Sequence, residues 1–138
     1  MRGMSNLIRV QKWKLDEKRR AITDMENLLA GFKDQLAKLD RDKLEEQRVV
    51  TEDIDTRFAY TNYLQITKQR RENLIASIVD ADERIAESRE EVAGIFEELK
   101  KYEISEDMRI RRLKELQSKR LQEEMDAVSI EMHRRKTV

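Results

Sequence analysis

The stretch that decides the fold is IRVQKWKLDEKRRAITDMENLLAGFKDQLAKL, running from Ile8 to Leu39. Starting at Ile8, every seventh residue is apolar: Leu15, Ile22, Leu29 and Leu36. A companion series three residues further on holds Gln11, Lys18, Met25, Phe32 and Leu39. Eight of these ten positions are apolar, a density that a coiled-coil helix requires and a surface helix does not show. A strict seven-residue repeat stays on one face only when two helices wrap around each other. The pattern fails at the next two slots, Lys43 and Glu46.

Working outward, a second run opens near Tyr60. Leu64, Ile78, Ile85, Val92 and Leu99 hold one seam position, with Arg71 interrupting. Leu74, Ala81, Ile95 and Tyr102 hold the other, with Thr67 and Ser88 as polar members. Glu106 is expected to break the register, and a looser stripe follows through Ile110, Leu113, Leu121, Met125, Val128 and Met132. The shift between Glu103 and Met108 is either a stutter in one long helix or a joint between two, with Ser105 as the cap of the second. Continuity is the favoured reading.

Between the runs, Val49 to Arg57 contains Thr51, Asp53, Asp55 and Thr56. Their side chains bond nearby backbone amides, which suits turns and helix N-caps. Closing a hairpin at Asp55 makes facing positions add to about 110, so that Leu15 meets Ile95, Met25 meets Ile85, Leu29 meets Ala81, Phe32 meets Ile78, and Leu36 meets Leu74. Charge agrees. Residues 2–20 carry seven basic and two acidic side chains, and residues 90–108 carry seven acidic and two basic ones. A parallel homodimer would set the basic block against its own copy. The expected fold is therefore all-α: a long antiparallel two-helix coiled coil with an overhanging C-terminal helical segment. Its bounds as a single coiled-coil domain are helix 1 at about 5–48, a tip at about 49–58, and helix 2 at about 59–135 with a possible break near 105. At 1.5 Å per residue the arms would span roughly 65–70 Å and 110 Å. Residues 109–136 then overhang the first helix and carry nine basic and five acidic side chains.

Composition narrows the function. Charged residues make up 42% of the 138, proline is absent and aromatics are 5%, which favours long helices over a compact core. The 29 basic and 29 acidic side chains cancel, which argues against disorder and against nucleic-acid binding, where a positive excess is the rule. Without cysteine there is no disulfide or thiol chemistry, and the common zinc frameworks are excluded. No window approaches the ~18 apolar residues of a membrane span, and Met1 to Val10 lacks the apolar core of a secretory signal. Direct membrane insertion is not expected, and the chain reads as cytosolic. His133 is the only histidine and has no plausible partners. Neither a catalytic centre nor a cofactor or metal site is expected, because carboxylates on an extended coil face water.

Several features invite two readings. Gly31 and Gly94 lie inside helices, where they permit close approach or bending, or are merely tolerated at ~1 kcal/mol each. Trp13 falls on the outward side of helix 1, one turn from Val10. It is either a harmless exposed aromatic or part of a stripe covered by the C-terminal segment or by a partner. Phe58, Tyr60, Tyr63, Leu64 and Ile66 crowd the tip and cannot all face one seam. They either plug the end of the coil or expose aromatics that suit a binding hot spot.

The segment Leu7-Ile8-Arg9-Val10-Gln11-Lys12-Trp13-Lys14-Leu15-Asp16-Glu17-Lys18-Arg19-Arg20 resembles the N-terminal segment of FliJ-type flagellar export proteins, particularly a short alphaproteobacterial branch. Phe58-Ala59-Tyr60-Thr61-Asn62-Tyr63-Leu64 resembles the start of that family's second helix, and the two-helix layout agrees over nearly the whole chain. The resemblance implies a non-enzymatic stalk of the flagellar type III export apparatus, similar to the central stalk of rotary ATPases. Such a stalk inserts into the hexameric export ATPase ring, links it to the export-gate membrane protein and escorts export chaperones. It would be cytoplasmic, peripherally associated with the flagellar basal body, and monomeric when free. Tyr63 matches the family's gate-contacting aromatic, and Tyr60 and Leu64 lie beside it. Thr67 and Arg70 depart from the family's apolar or small residues. The free ends, with Val10 and Trp13 on one helix and Arg109, Arg111 and Arg112 on the other, are expected to engage the ring. Outside this class stand a self-associating structural coiled coil and a holdase-type chaperone.

Overall fold

The computed structural model describes residues 2–50 and 53–137; Met1, Glu52, Val138 and the anticipated turn residue Thr51 lie outside the described residues. Two helices account for nearly all of the rest: α1, Arg2–Val49, and α2, Ile54–Lys136. They pack against each other as an antiparallel, all-α hairpin. With no proline anywhere, nothing interrupts the backbone ladder of either helix.

The turn is shorter than its sequence suggests. The Asp53 carbonyl accepts the Arg57 N–H at 3.0 Å, which makes Asp53 the N-cap and starts α2 at Ile54, about five residues earlier than expected. Asp55 lies in the first turn, where a carboxylate complements the positive end of the helix. At the other end His133, Arg134, Arg135 and Lys136 occupy the last turn and complement its negative end. Thr137 finishes the helix: its N–H donates to the His133 carbonyl at 3.2 Å, and its hydroxyl reaches the His133 and Arg134 carbonyls at 3.3 and 3.0 Å.

Packing divides the chain into two units, each built from parts of both helices. The first is Lys14–Gly94. Its α1 face is covered at Leu15, Lys18, Ile22, Met25, Leu29, Phe32, Leu36 and Leu39, a three-four alternation without a gap. The facing positions of α2 are Leu64, Thr67, Leu74, Ile78, Ala81, Ile85, Ser88 and Val92. Leu15, Ala81, Ile85 and the hydroxyl-bearing Thr67 are the buried members. Among the described residues, three ion pairs cross between the helices: Lys18 with Glu91, Glu26 with Arg89 at 2.9 Å, and Asp40 with Arg71 at 3.2 Å. Their residue numbers add to 109, 115 and 111, close to the register read from the sequence. Arg71, the interruption in the second run, turns its guanidinium out of the seam to Asp40. All three pairs are partly exposed, so each is worth only ~0–1 kcal/mol.

The second unit is Met1–Trp13 with Ile95–Val138. Here Met4, Ile8 and Gln11 are half-covered on α1, and Ile95, Leu99, Tyr102, Glu106 and Arg109 are covered to various degrees on α2. The sequence reading that Glu106 breaks the register is corrected. The three-four alternation passes through Glu106 and Arg109 without a shift. Arg109 clamps Glu106 with two hydrogen bonds, Nη2 to Oε1 at 2.6 Å and Nε to Oε2 at 3.1 Å. Two long side chains can lay their aliphatic stems in a seam while their charged ends neutralise each other. The helix is also unbroken at Ser105, which is exposed and caps nothing. Beyond Arg109, residues 110–137 are exposed.

Gly31 and Gly94 mark no close approach. A Cβ built on either meets nothing within 4 Å, so tolerance is the right reading of both.

Candidate protein-interaction surfaces

Three surfaces carry the residues singled out above. At the start of α2, Tyr60 and Tyr63 stack with ring centroids 6.4 Å apart and planes 22° from parallel. Both are half-buried and line a shallow cleft with Glu46, Val49, Val50, Thr56 and Ala59. Leu64 is half-buried beside them. These three side chains close the end of the coil. The neighbouring apolar groups do the opposite: Ile54 is 81% exposed and Phe58 78% exposed, one helical turn apart. Ile66 is also exposed. The tip cluster is thus both a plug and an open patch, divided between different residues.

The second surface lies on α1. Asn6, Arg9, Val10 and Trp13 flank one shallow depression, and Arg9 donates to the Asn6 amide oxygen at 2.9 Å. Trp13 is 61% exposed, and Val10, one turn away, and Leu7 are exposed as well. The C-terminal segment does not cover this stripe. Helix α2 offers its own apolar side here to the seam, on the far side of α1 from Trp13.

The third surface is the α2 overhang. Arg109 is half-buried and committed to Glu106, whereas Arg111 and Arg112 are exposed. The Glu106 hydrogen bonds hold the Arg109 pKa above its ordinary value. Arg112 lines a groove with Met4, Ile104, Met108 and Glu106, a mixture of apolar and charged side chains. Further along, Leu113, Leu121, Met125, Val128 and Met132 are all exposed. Phe96, also exposed, carries the Lys100 ammonium 5.2 Å above its ring, a contact worth ~0.5–1 kcal/mol at such a site.

Sequence reasoning picked out the tip and both free ends but not Ile54, which lay in the stretch expected to be a turn. Only the position of the N-cap would have placed it on a helix beside Phe58. Among the described residues, no group of three or more acidic or histidine side chains is arranged to hold a metal ion. Among them too, no helix is long and apolar enough to cross a membrane. No protein-family model, curated protein or solved structure matches the chain.

Proposed function

We propose that this chain is a non-enzymatic stalk and adaptor of a flagellar type III protein export apparatus. In this reading it links the export ATPase ring to the cytoplasmic part of the export-gate membrane protein and escorts export chaperones. The observation that carries the reading is the overhang: 27 exposed residues of helix, 110–136, with an apolar stripe. An exposed apolar stripe of that length is a recognised mark of a protein-interaction surface. The likeness of Leu7–Arg20 and Phe58–Leu64 to FliJ-type proteins supplies the identity of the partners. In the mechanism that follows, Val10, Trp13, Arg111 and Arg112 engage the ring, and the tip around Tyr60, Tyr63 and Leu64 contacts the gate. Exposed Phe58 and Ile54 join that contact.

The test is the ATP hydrolysis rate of the cognate flagellar export ATPase with and without the purified chain. Stimulation is expected, and deleting residues 109–138 should abolish it. Tyr63→Ala should weaken gate binding without changing helicity, and Phe58→Ser should weaken it without loosening the plug. If the chain neither binds nor stimulates the ATPase, the stalk reading fails.

A further inference from the structure

The exposed stripe on the overhang has a property that a generic docking face would not need: it is nearly symmetric about its own centre. Its members are Ile110, Leu113, Gln117, Leu121, Met125, Val128 and Met132, spaced 3, 4, 4, 4, 3 and 4 residues apart. At 3.6 residues per turn these positions stay within an arc of about 120°, and all of them are exposed. The separation of eleven positions from Ile110 to Leu121 is matched by the eleven from Leu121 to Met132. Laid against an inverted copy of itself, with facing numbers adding to 242, the stripe sets Leu121 on Leu121, Gln117 on Met125 and Ile110 on Met132. Leu113 falls one position from Val128.

Charge repeats the message independently. Residues 109–120 hold six basic side chains and one acidic, a net of plus five. Residues 121–133 hold four acidic side chains and no lysine or arginine, a net of minus four. An antiparallel second copy places each block against its opposite. A parallel copy places each block against itself. Along one flank of the stripe, Arg120 comes within two positions of Glu124 of the other copy, and the two-fold axis makes this pair occur twice. Closed two-fold symmetry is the commonest form of self-association, and it requires this kind of self-complementary patch.

We infer that the overhang is an antiparallel homodimerisation helix, with residues 109–133 of two copies paired about a two-fold axis at Leu121. The contact consists of the seven stripe positions and their flanking charges, fewer than the 20–30 residues a side of a standard specific interface, so a modest affinity is expected. Opposite charges at flanking positions fix the orientation and register of the pair. The dimer would occupy the segment that holds Arg111 and Arg112, so it competes with the ring engagement proposed above. It departs from the expectation that the free chain is monomeric, and it stands or falls independently of the flagellar reading.

The absence of cysteine makes the orientation directly testable in the full chain. Under mild oxidation Leu121→Cys should give a disulfide-linked dimer. Ile110→Cys alone should not, whereas mixing it with the Met132→Cys chain should. In sedimentation equilibrium the unmodified chain should dimerise, Arg120→Glu should weaken association at least tenfold, and Arg120→Glu with Glu124→Arg in one chain should restore it. All these positions are exposed, so the hairpin is expected to fold in each variant, with circular dichroism as the check. A chain that stays monomeric up to millimolar concentration overturns the inference. Ile110→Cys crosslinking to itself as readily as Leu121→Cys overturns the antiparallel arrangement, and indifference to Arg120→Glu overturns the register.

Discussion

The unit Lys14–Gly94 and the helix from Ile110 to Lys136 use nearly the same alphabet to opposite ends. Both place apolar residues three and four apart, and both surround them with lysine, arginine, aspartate and glutamate. In the first, the stripe is covered by a facing stripe of the same chain, and Ile85 is left 4% exposed. In the second, Leu121 is 58% exposed. Amphipathic periodicity therefore specifies that a face wants covering, not what covers it. Where the chain supplies both halves, the pattern becomes stability. Where it supplies one, the pattern is left for a second molecule.

The largest expected effect tests that contrast. Ile85→Ala removes a buried seam residue and should cost about 2–3 kcal/mol, toward the lower end of the range for truncations in a core because a two-helix seam can partly close. Leu121→Ala removes a comparable volume from an exposed site and should stay within about 0.5 kcal/mol. The check is urea unfolding followed by circular dichroism, at a concentration where the chain is monomeric. Equal costs at the two sites would mean that the overhang is packed against something within the chain, and the contrast would collapse.

Much of this was legible beforehand, for a definite reason. In α1 the covered positions from Ile8 to Leu39 are, Gly31 apart, the heptad positions of the sequence, Gln11 and Lys18 included, because a two-helix seam gives each position one fixed environment. The pairing register was legible because apolar size and block charge constrain it separately. Glu106 was misread because a binary pattern counts any charge as a break, whereas the side chain is neutralised three residues on by Arg109. The turn was drawn too long because no glycine or proline marks where a helix must stop. The partner surfaces were legible only as places. Whether Tyr63 or Phe58 faces outward depends on where the N-cap falls, and Asp53, Asp55 and Thr56 all compete for that role by residue type.

A middling effect sharpens the same comparison from the side of the backbone. Gly31 and Gly94 both lie in the Lys14–Gly94 unit, within helices, with open space where a Cβ would go. Each therefore weakens its helix with no packing gain in return. Gly31→Ala and Gly94→Ala should each stabilise the protein by about 0.5–1 kcal/mol, and the double variant should be close to additive because the sites share no partner. Thermal unfolding provides the measurement. A destabilised Gly94→Ala would reveal a bend or a close approach that the open space around its Cβ position argues against.

The smallest effect belongs to Glu106, where the covered part of α2 gives way to the exposed part. The hydrogen bonds from Arg109 hold its carboxyl below the ordinary carboxylate range, the positive charge of Arg109 adds to this, and partial desolvation opposes it. A carboxylate held low in the folded state adds stability at pH values above its unfolded pKa. That contribution is lost as the pH falls through the lowered folded value. Stability should therefore decline slightly in acid in the unmodified chain, and this component should be missing in Glu106→Gln. The difference between the two chains across an acid titration isolates the pair from the other carboxylates, which titrate in both. If the two curves run parallel, Glu106 gains nothing from Arg109 in solution. The seam would then end at Tyr102, and the exposed region would begin about two turns earlier than the structure places it.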